Sequence, residues 1–158
     1  MTPDEFISEV WKIRKSMLRL AISIIKTPAD AEDAVQDAIL AAWSKIGTLR
    51  NRAAFKTWML RIVANTCRNE LRRKRRILLT TEVRETEPIV DEDRDRLWEC
   101  VCTLDEKYRV PIVLHYYDGF SIKEIASLEQ KPMGTIAARM NTARKLLSRQ
   151  LNLKEGRE

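Results

Sequence analysis

An acidic segment at residues 80–95 separates two parts of the sequence that differ in charge and in apolar pattern. The segment carries seven acidic and two basic residues, contains Pro88, and has no helical repeat of apolar residues until its end. Such a composition buries too little apolar surface to offset the entropy lost on ordering, so it predicts a flexible linker. We therefore expect two small domains, at residues 1–79 and 96–158.

Both parts carry apolar residues at helical spacing, so the sequence predicts an all-α fold. Residues 2–5 form a helix start, because threonine can cap the helix, proline fits its first turn and glutamate completes a capping box. The apolar spacing then continues to Ile24, which predicts one long first helix. We expect a second helix that begins at Pro28 and ends at Gly47, and a third that is capped by Asn51.

The second part has the dimensions of a helix-turn-helix. Helix signals over residues 105–119 include Pro111, which lacks an N–H donor and should begin or bend that helix. A capping box at residues 121–124 opens a short helix, residues 129–131 make a tight connection, and Pro132 begins a last helix. The second helix of such a pair enters the major groove of DNA, whereas the alternative is an ordinary helical hairpin. The outward polar candidates are Lys131, Thr135, Arg139, Arg144 and Lys145.

Positive charge is concentrated in the first part, which has a net charge of +8 against +6 for the whole chain. An excess of this kind suggests a polyanionic partner, usually nucleic acid. On the third predicted helix, which reaches about Arg76, a basic stripe with one amide falls within about 40° either side of one line. Arginines can neutralise phosphates, and an asparagine can recognise a base edge. The stripe consists of Arg61, Asn65, Arg68, Arg72 and Arg75.

Structural explanations that involve no nucleic acid remain open for this helix. The stripe can also be a solvated basic helix end, which the helix dipole favours. Phe55 and Trp58 lie nearby, and aromatic side chains can stack on the bases of single-stranded nucleic acid. Their position toward the apolar face instead favours a place in the core.

An acidic face on the second predicted helix contrasts with the basic charge around it. Asp30, Asp33 and Asp37 lie on one side of the helix, with Glu32 and Gln36 adjacent. Such a face is unsuited to DNA and could bind a basic protein surface. Compensation of the helix dipole in the first turns is the alternative explanation.

The sequence contains no arrangement typical of an enzyme, a metal site or a membrane protein. It has one histidine, His115, and three cysteines that form neither an even framework nor a C-x-x-C pair. There is no Gly-rich phosphate loop, no apolar run of transmembrane length and no signal-peptide pattern at the start. We therefore expect a cytoplasmic protein that is not an enzyme, needs no cofactor or metal, and is not inserted in a membrane.

Several motifs together resemble the bacterial RNA polymerase sigma factors. Two stretches are similar to conserved region two of that family, and three are similar to region four. With only these two regions on a short chain, the sequence resembles the extracytoplasmic-function (ECF) group. The region-two motifs are Asp30–Asp37 followed by Ala41–Trp43, and Phe55–Asn65 followed by Arg72 and Arg73; the region-four motifs are Leu104–Arg109, Tyr116–Ala126 and Gly134–Arg139.

The resemblance implies a function for each part of the chain. Residues 1–79 would bind the clamp helices of the largest subunit of core RNA polymerase, recognise and open the −10 element, and capture bases of the non-template strand. Residues 96–158 would bind the flap of the other large subunit and recognise the duplex −35 element. Many family members are held inactive by an anti-sigma factor, so such a partner is expected here.

The resemblance also assigns site residues by position. The polymerase-binding residues would be Asp30, Asp33, Gln36 and Asp37. The −10 element would be bound by Leu49, Arg50 and Asn51 in a base-capturing loop, and by Arg61, Asn65, Arg68 and Arg72. The −35 element would be bound by Lys131, Thr135, Ala137, Ala138, Arg139, Arg144 and Lys145.

The chain departs from the family at the predicted −35 site. Ala137 and Ala138 stand where a basic residue and a serine are common, and Thr142 stands where an arginine is common. The runner-up interpretation is a dimeric helix-turn-helix regulator that binds duplex DNA without being a polymerase subunit. Such a regulator has no need of an acidic face and a basic stripe together in the first part. A nucleic-acid enzyme, the third class, lacks candidate catalytic residues.

Overall fold

The computed structural model of the chain describes residues 1–78 and 96–154, which form two compact helical units. We refer to them as the N-terminal unit and the C-terminal unit. The predicted linker at residues 80–95 lies outside the described residues. Within the described ranges there is no strand, and no helix is both long enough and apolar enough to cross a membrane.

The N-terminal unit contains four α-helices, with two short 3₁₀ turns before the last of them. Thr2 and Glu5 form the predicted capping box, in which the Glu5 amide donates to Thr2 Oγ1 at 3.2 Å and the Thr2 amide donates to Glu5 Oε2 at 2.8 Å. The helices are α1 (Pro3–Lys12), α2 (Arg14–Ile25), α3 (Pro28–Ser44) and α4 (Phe55–Leu78), and the 3₁₀ turns are Ile46–Thr48 and Arg52–Ala54.

Two predicted helix limits in this unit are wrong. The expected single first helix is broken at Ile13, whose backbone has φ −113° and ψ 14° and whose amide bonds the Val10 carbonyl three residues back. The apolar residues keep their helical spacing across this one-residue break, so periodicity alone does not reveal it. The second predicted helix ends at Ser44 rather than at Gly47, which lies in the first 3₁₀ turn.

The core of the N-terminal unit forms where α2, α3 and α4 pack together. Leu20 on α2 and Met59 and Val63 on α4 are fully buried. On α3 the buried face is made mostly of alanines, which let the neighbouring helices approach closely. Phe6 joins α1 to this core, with its ring 5.2 Å from that of Trp43 and 6.0 Å from that of Phe55. These contacts fix the rotation of α3 and α4, and thereby the faces that they expose.

The C-terminal unit contains the predicted helix-turn-helix. Its helices are α5 (Arg96–Cys102), α6 (Glu106–Tyr116), α7 (Ile122–Glu129) and α8 (Met133–Lys154). The capping box of α7 is present, because the Glu124 amide donates to Ser121 Oγ at 3.1 Å and the Ser121 amide to Glu124 Oε1 at 3.2 Å. Pro111 lies buried inside α6 rather than at its start.

The turn between α7 and α8 depends on an unusual backbone conformation. Gln130 has φ 55° and ψ 45°, the left-handed conformation that a glycine adopts more easily. The Lys131 amide bonds the Ala126 carbonyl at 3.0 Å, which closes the turn. The chain thus makes the turn with a glutamine in the left-handed conformation, at a cost in backbone strain.

Candidate nucleic-acid and protein interface

The basic stripe of α4 lies on the side of the helix opposite its buried face. Buried residues such as Met59, Val63 and Cys67 set the rotation of the helix. As a result the side chains of Asn65 and Arg72 are exposed. The remaining predicted −10 residues of this helix, Arg61 and Arg68, are half-buried.

Beyond the core, the end of α4 carries both paired and exposed positive charges. Arg73 binds Glu70 through Nη2 and Oε1 at 2.6 Å, and this hydrogen bond lowers the pKa of Glu70 and raises that of Arg73. Lys74 forms an ion pair with Asp30 at the start of α3. The side chains of Arg72 and of Arg75, one turn further along the helix, are exposed. Arg72 and Arg75 are suited to phosphate contact, whereas Arg73, although also exposed, is paired with Glu70.

The predicted base-capturing loop before α4 is held by side chains. Asn51 Oδ1 accepts a hydrogen bond from the Ala53 amide at 3.0 Å. Trp58 Nε1 donates to Thr48 Oγ1 at 3.4 Å, and Arg52 forms an ion pair with Glu5 of α1. The loop is therefore anchored to both α1 and α4.

The remaining loop residues and the two aromatics differ in exposure. Arg50 and Asn51 are exposed, whereas Leu49 is half-buried. Phe55 is buried in the core, as the core interpretation predicts. Trp58 is half-buried, and the centre of its ring lies 5.8 Å from that of Phe55.

The acidic face of α3 is smaller than the sequence predicts. Asp33, Gln36 and Asp37 are exposed. Asp30 is half-buried, and its carboxylate is occupied by the ion pair with Lys74 of α4. Its charge is therefore partly neutralised inside the unit.

An apolar groove that the sequence analysis missed borders this acidic face. It is formed by α1, α2 and α3, and Gln36 lies at its edge. Trp11 in the groove is 64% exposed, and Leu40 on the next turn of α3 is 71% exposed. Both residues lie off the apolar stripes of their helices, which is the signal that could have found them.

In the C-terminal unit, α8 presents its predicted DNA-binding residues in several directions. Ile136, Met140, Ala143 and Leu147 form its buried face. Among the predicted −35 residues, the exposed ones are Lys131, Ala138, Arg144 and Lys145, and the half-buried ones are Thr135, Ala137 and Arg139. Thr142 is exposed as well, and so is Asn141, which was not among the predicted −35 residues.

Arg144 makes contacts within the unit. Its Nε donates to the Tyr116 hydroxyl at 2.9 Å, and its guanidinium carbon lies 5.9 Å from the centre of that ring. Its Nη1 lies 3.5 Å from Asn141 Oδ1. The side chain therefore extends toward the end of α6.

Arg109, the last residue of one region-four motif, has a structural role. Its side chain is buried and donates a hydrogen bond to the carbonyl of Leu104, the first residue of the same motif. Burial lowers the pKa of this guanidinium, and Glu106 opposes that shift. The hydrogen bond thus joins the first turns of α6 to Leu104, two residues before the helix begins.

The described residues contain no group of three or more histidine, cysteine or acidic side chains that could hold a metal. His115 Nδ1 lies 2.7 Å from the Phe120 carbonyl, to which it can only donate. Cys67 and Cys100 are buried, and Cys102 is half-buried.

Comparison with protein families matches both units. Residues 12–77 match Sigma-70 region 2, and residues 94–147 match Sigma-70 region 4. The chain is 30% identical to the RNA polymerase sigma factor SigV of Bacillus subtilis, over 87% of this chain and 86% of SigV. It is 32% identical to the ECF RNA polymerase sigma factor SigM of Mycobacterium tuberculosis, over 87% of this chain and 72% of SigM.

Two solved structures resemble the fold over nearly the whole chain. One is the sigma factor RpoE of Bartonella quintana in complex with the anti-sigma factor NepR, with a TM-score of 0.85, 24% identity, and coverage of 94% of this chain and 97% of that one. The other is CnrH in complex with the cytosolic domain of CnrY, with a TM-score of 0.72, 25% identity, and coverage of 96% and 90%.

Proposed function

The chain belongs to the sigma-70 family and, within it, to the ECF group of RNA polymerase sigma factors, and we propose how its two units divide the work. As a sigma factor it binds core RNA polymerase and directs the initiation of transcription at promoters. A dimeric helix-turn-helix regulator is not favoured, because both conserved sigma regions are matched along the chain. In our proposal the N-terminal unit binds the polymerase clamp helices and opens the −10 element, and the C-terminal unit binds the flap and recognises the −35 element.

One observation carries the proposal for the N-terminal unit. Exposed acidic residues on α3, and the exposed Asn65 and Arg72 of the basic stripe on α4, extend from the same helical core. The buried side of each helix faces the other, so the two charged surfaces point away from the core. A basic protein surface can therefore be bound by Asp33, Gln36 and Asp37 while the DNA strand is bound by α4. Complementary charge also steers each partner to its own face.

The bases of the −10 element are assigned to α4 and to the loop before it. Because its side chain is exposed and neutral, Asn65 can donate to and accept from a base edge. Arg72 is exposed near the end of the helix, where it is suited to a phosphate. The predicted loop residues Leu49, Arg50 and Asn51 lie on a segment that is anchored before DNA arrives, which lowers the entropy cost of capturing a base.

Transcription in vitro with purified core polymerase on a promoter library tests the whole proposal. We expect selective initiation that depends on both promoter elements. The Asn65→Ala variant should open promoters poorly, as measured by permanganate reactivity of the −10 strand, while its affinity for core polymerase stays unchanged. Asn69→Ala, an exposed asparagine on the same helix, is the matched control. Normal opening by Asn65→Ala would contradict this assignment.

An anti-sigma factor belongs to the proposal as a further partner. The two structural neighbours are complexes, one with the anti-sigma factor NepR and one with the cytosolic domain of CnrY. In this chain the exposed Trp11 and Leu40 flank the acidic face and offer apolar surface to such a partner. A partner bound there would compete with core polymerase.

The same proposal implies where the protein acts and that it does no catalysis of its own. The protein acts in the cytoplasm, on the polymerase and the promoter. It supplies recognition and strand capture, and the polymerase supplies the catalytic groups. No cofactor is required for either task.

A further inference from the structure

Asn141 occupies the exposed side of the helix proposed to enter the major groove. The buried residues Met140 and Ala143 set the rotation of α8, which leaves Asn141 outside, one turn after Ala138 and one turn before Lys145. Ala138 has no hydrogen-bonding group in its side chain, so it cannot distinguish donors from acceptors on a base. Asn141 carries both an N–H donor and a carbonyl acceptor.

The amide of Asn141 is oriented by its neighbour on the next turn. Arg144 Nη1 lies 3.5 Å from Asn141 Oδ1. An arginine can only donate, so the contact selects the amide orientation in which the oxygen faces Arg144 and the NH₂ group faces away. The arginine is in turn held by Tyr116, whose hydroxyl accepts from Nε at 2.9 Å.

A guanidinium that is occupied in this way is poorly placed to contact a base itself. Its Nε is directed at α6, and its Nη1 is directed back along α8. The three side chains thus form a chain of contacts, from Tyr116 through Arg144 to Asn141, that crosses from one helix to the other. Because the oxygen of the Asn141 amide faces the arginine, its NH₂ group is the donor that faces away from it.

We propose that Asn141 recognises an adenine of the −35 element, and that Arg144, anchored by Tyr116, is a positioning residue for its amide. Adenine presents an acceptor at N7 and a donor at N6 in the major groove. The NH₂ group of Asn141 can donate to N7, and the second lone pair of its oxygen can accept from N6. The inference rests on the proposed function, in which the C-terminal unit recognises the −35 element.

Selection from a library randomised in the −35 element tests the inference. The full-length protein, assembled with core polymerase, initiates transcription on the library, and the transcripts are sequenced. We expect wild type to enrich adenine at one −35 position. Asn141→Ala should lose that enrichment by roughly 5- to 150-fold, which corresponds to the loss of one bidentate base contact. Preference at the other positions, and affinity for core polymerase, should stay the same.

Asn152 supplies a matched control, because it is an exposed asparagine three turns further along the same helix. Asn152→Ala should leave the −35 preference unchanged. Circular dichroism should show the same helix content in the Asn141 and Asn152 variants, since both side chains are exposed. Adenine enrichment by Asn141→Ala equal to that of wild type would overturn the proposal.

The positioning role has its own readout. Tyr116→Phe removes only the hydroxyl that anchors Arg144, so it should weaken adenine preference at the same position as Asn141→Ala, by a smaller factor. A merely structural role would lower overall activity without changing the preference at one base. If Arg144→Ala instead changes the preference at a different position, the arginine contacts a base directly and the positioning role is wrong.

The proposed function and this inference fail in different ways. If wild-type polymerase complex initiates selectively but shows no preference at any −35 position, the role of the C-terminal unit is wrong, and the inference falls with it. If the −35 preference is clear and Asn141→Ala retains it in full, only the inference is wrong.

Discussion

Asp30 should behave differently from its neighbours on α3, because it is occupied by an ion pair within the N-terminal unit. Its carboxylate binds Lys74 near the far end of α4. The two side chains are 35% and 32% exposed, so water screens part of their attraction. Fully exposed pairs contribute about 0.2–1 kcal/mol, and a pair that is partly shielded from water should lie at the upper end of that range.

We therefore expect Asp30→Ala to lower the free energy of unfolding of the N-terminal unit by about 0.5–1 kcal/mol. Core polymerase affinity should stay near that of wild type. Asp33→Ala, on the exposed face, should do the opposite: the stability of the unit is unchanged and the affinity for core polymerase falls. The ion pair joins the acidic helix to the basic helix, so its loss should also loosen the end of α4.

A double-mutant cycle measures this coupling. Urea unfolding of wild type, Asp30→Ala, Lys74→Ala and the double variant is followed by NMR, which reports on each unit separately. Affinity is measured by titrating labelled protein with core polymerase. A coupling energy below about 0.2 kcal/mol would refute the structural role. If Asp30→Ala loses as much affinity for core polymerase as Asp33→Ala does, Asp30 also binds the polymerase and the distinction between the two residues is wrong.

Further expectations concern charge, backbone strain and pH. Arg72→Ala should reduce the salt dependence of promoter binding by about one phosphate contact, whereas Arg73→Ala, whose side chain is tied to Glu70, should change it less; equal slopes would contradict the distinction. Gln130→Gly should raise the free energy of unfolding of the C-terminal unit by about 0.5–1 kcal/mol because it relieves the left-handed backbone, and Lys131→Gly should not; denaturant unfolding checks both. The pKa of Glu70 is lowered by Arg73, so the stability that this pair contributes is present above the unfolded-state pKa and is lost as the pH falls through the lower folded-state pKa. An NMR titration in which Arg73→Ala leaves the Glu70 pKa unchanged would contradict that cause.

Features that depend on neighbours a few residues apart could be predicted from the sequence. Both capping boxes, at Thr2 and at Ser121, were predicted and are confirmed, since each needs only a hydroxyl and a carboxylate three residues later. The all-α class followed from apolar spacing, and the helix-turn-helix followed from a capping box, a tight connection and Pro132. The order of short motifs indicated the sigma family, which the matches to both regions confirm. The assignment of individual site residues stays a prediction.

The packing of the helices determines which charged and polar side chains already bind a partner within their own unit. Asp30 pairs with a lysine 44 residues away, and Arg144 bonds a tyrosine 28 residues away. Helical spacing assigns each of these residues to a face of its own helix, but the partner lies on another helix, whose position depends on packing of the core. Helical spacing also does not reveal the break at Ile13, because the apolar spacing continues from α1 into α2. Local periodicity determines which side of a helix is polar, and the packing of helices determines which of those polar groups remain available to a partner.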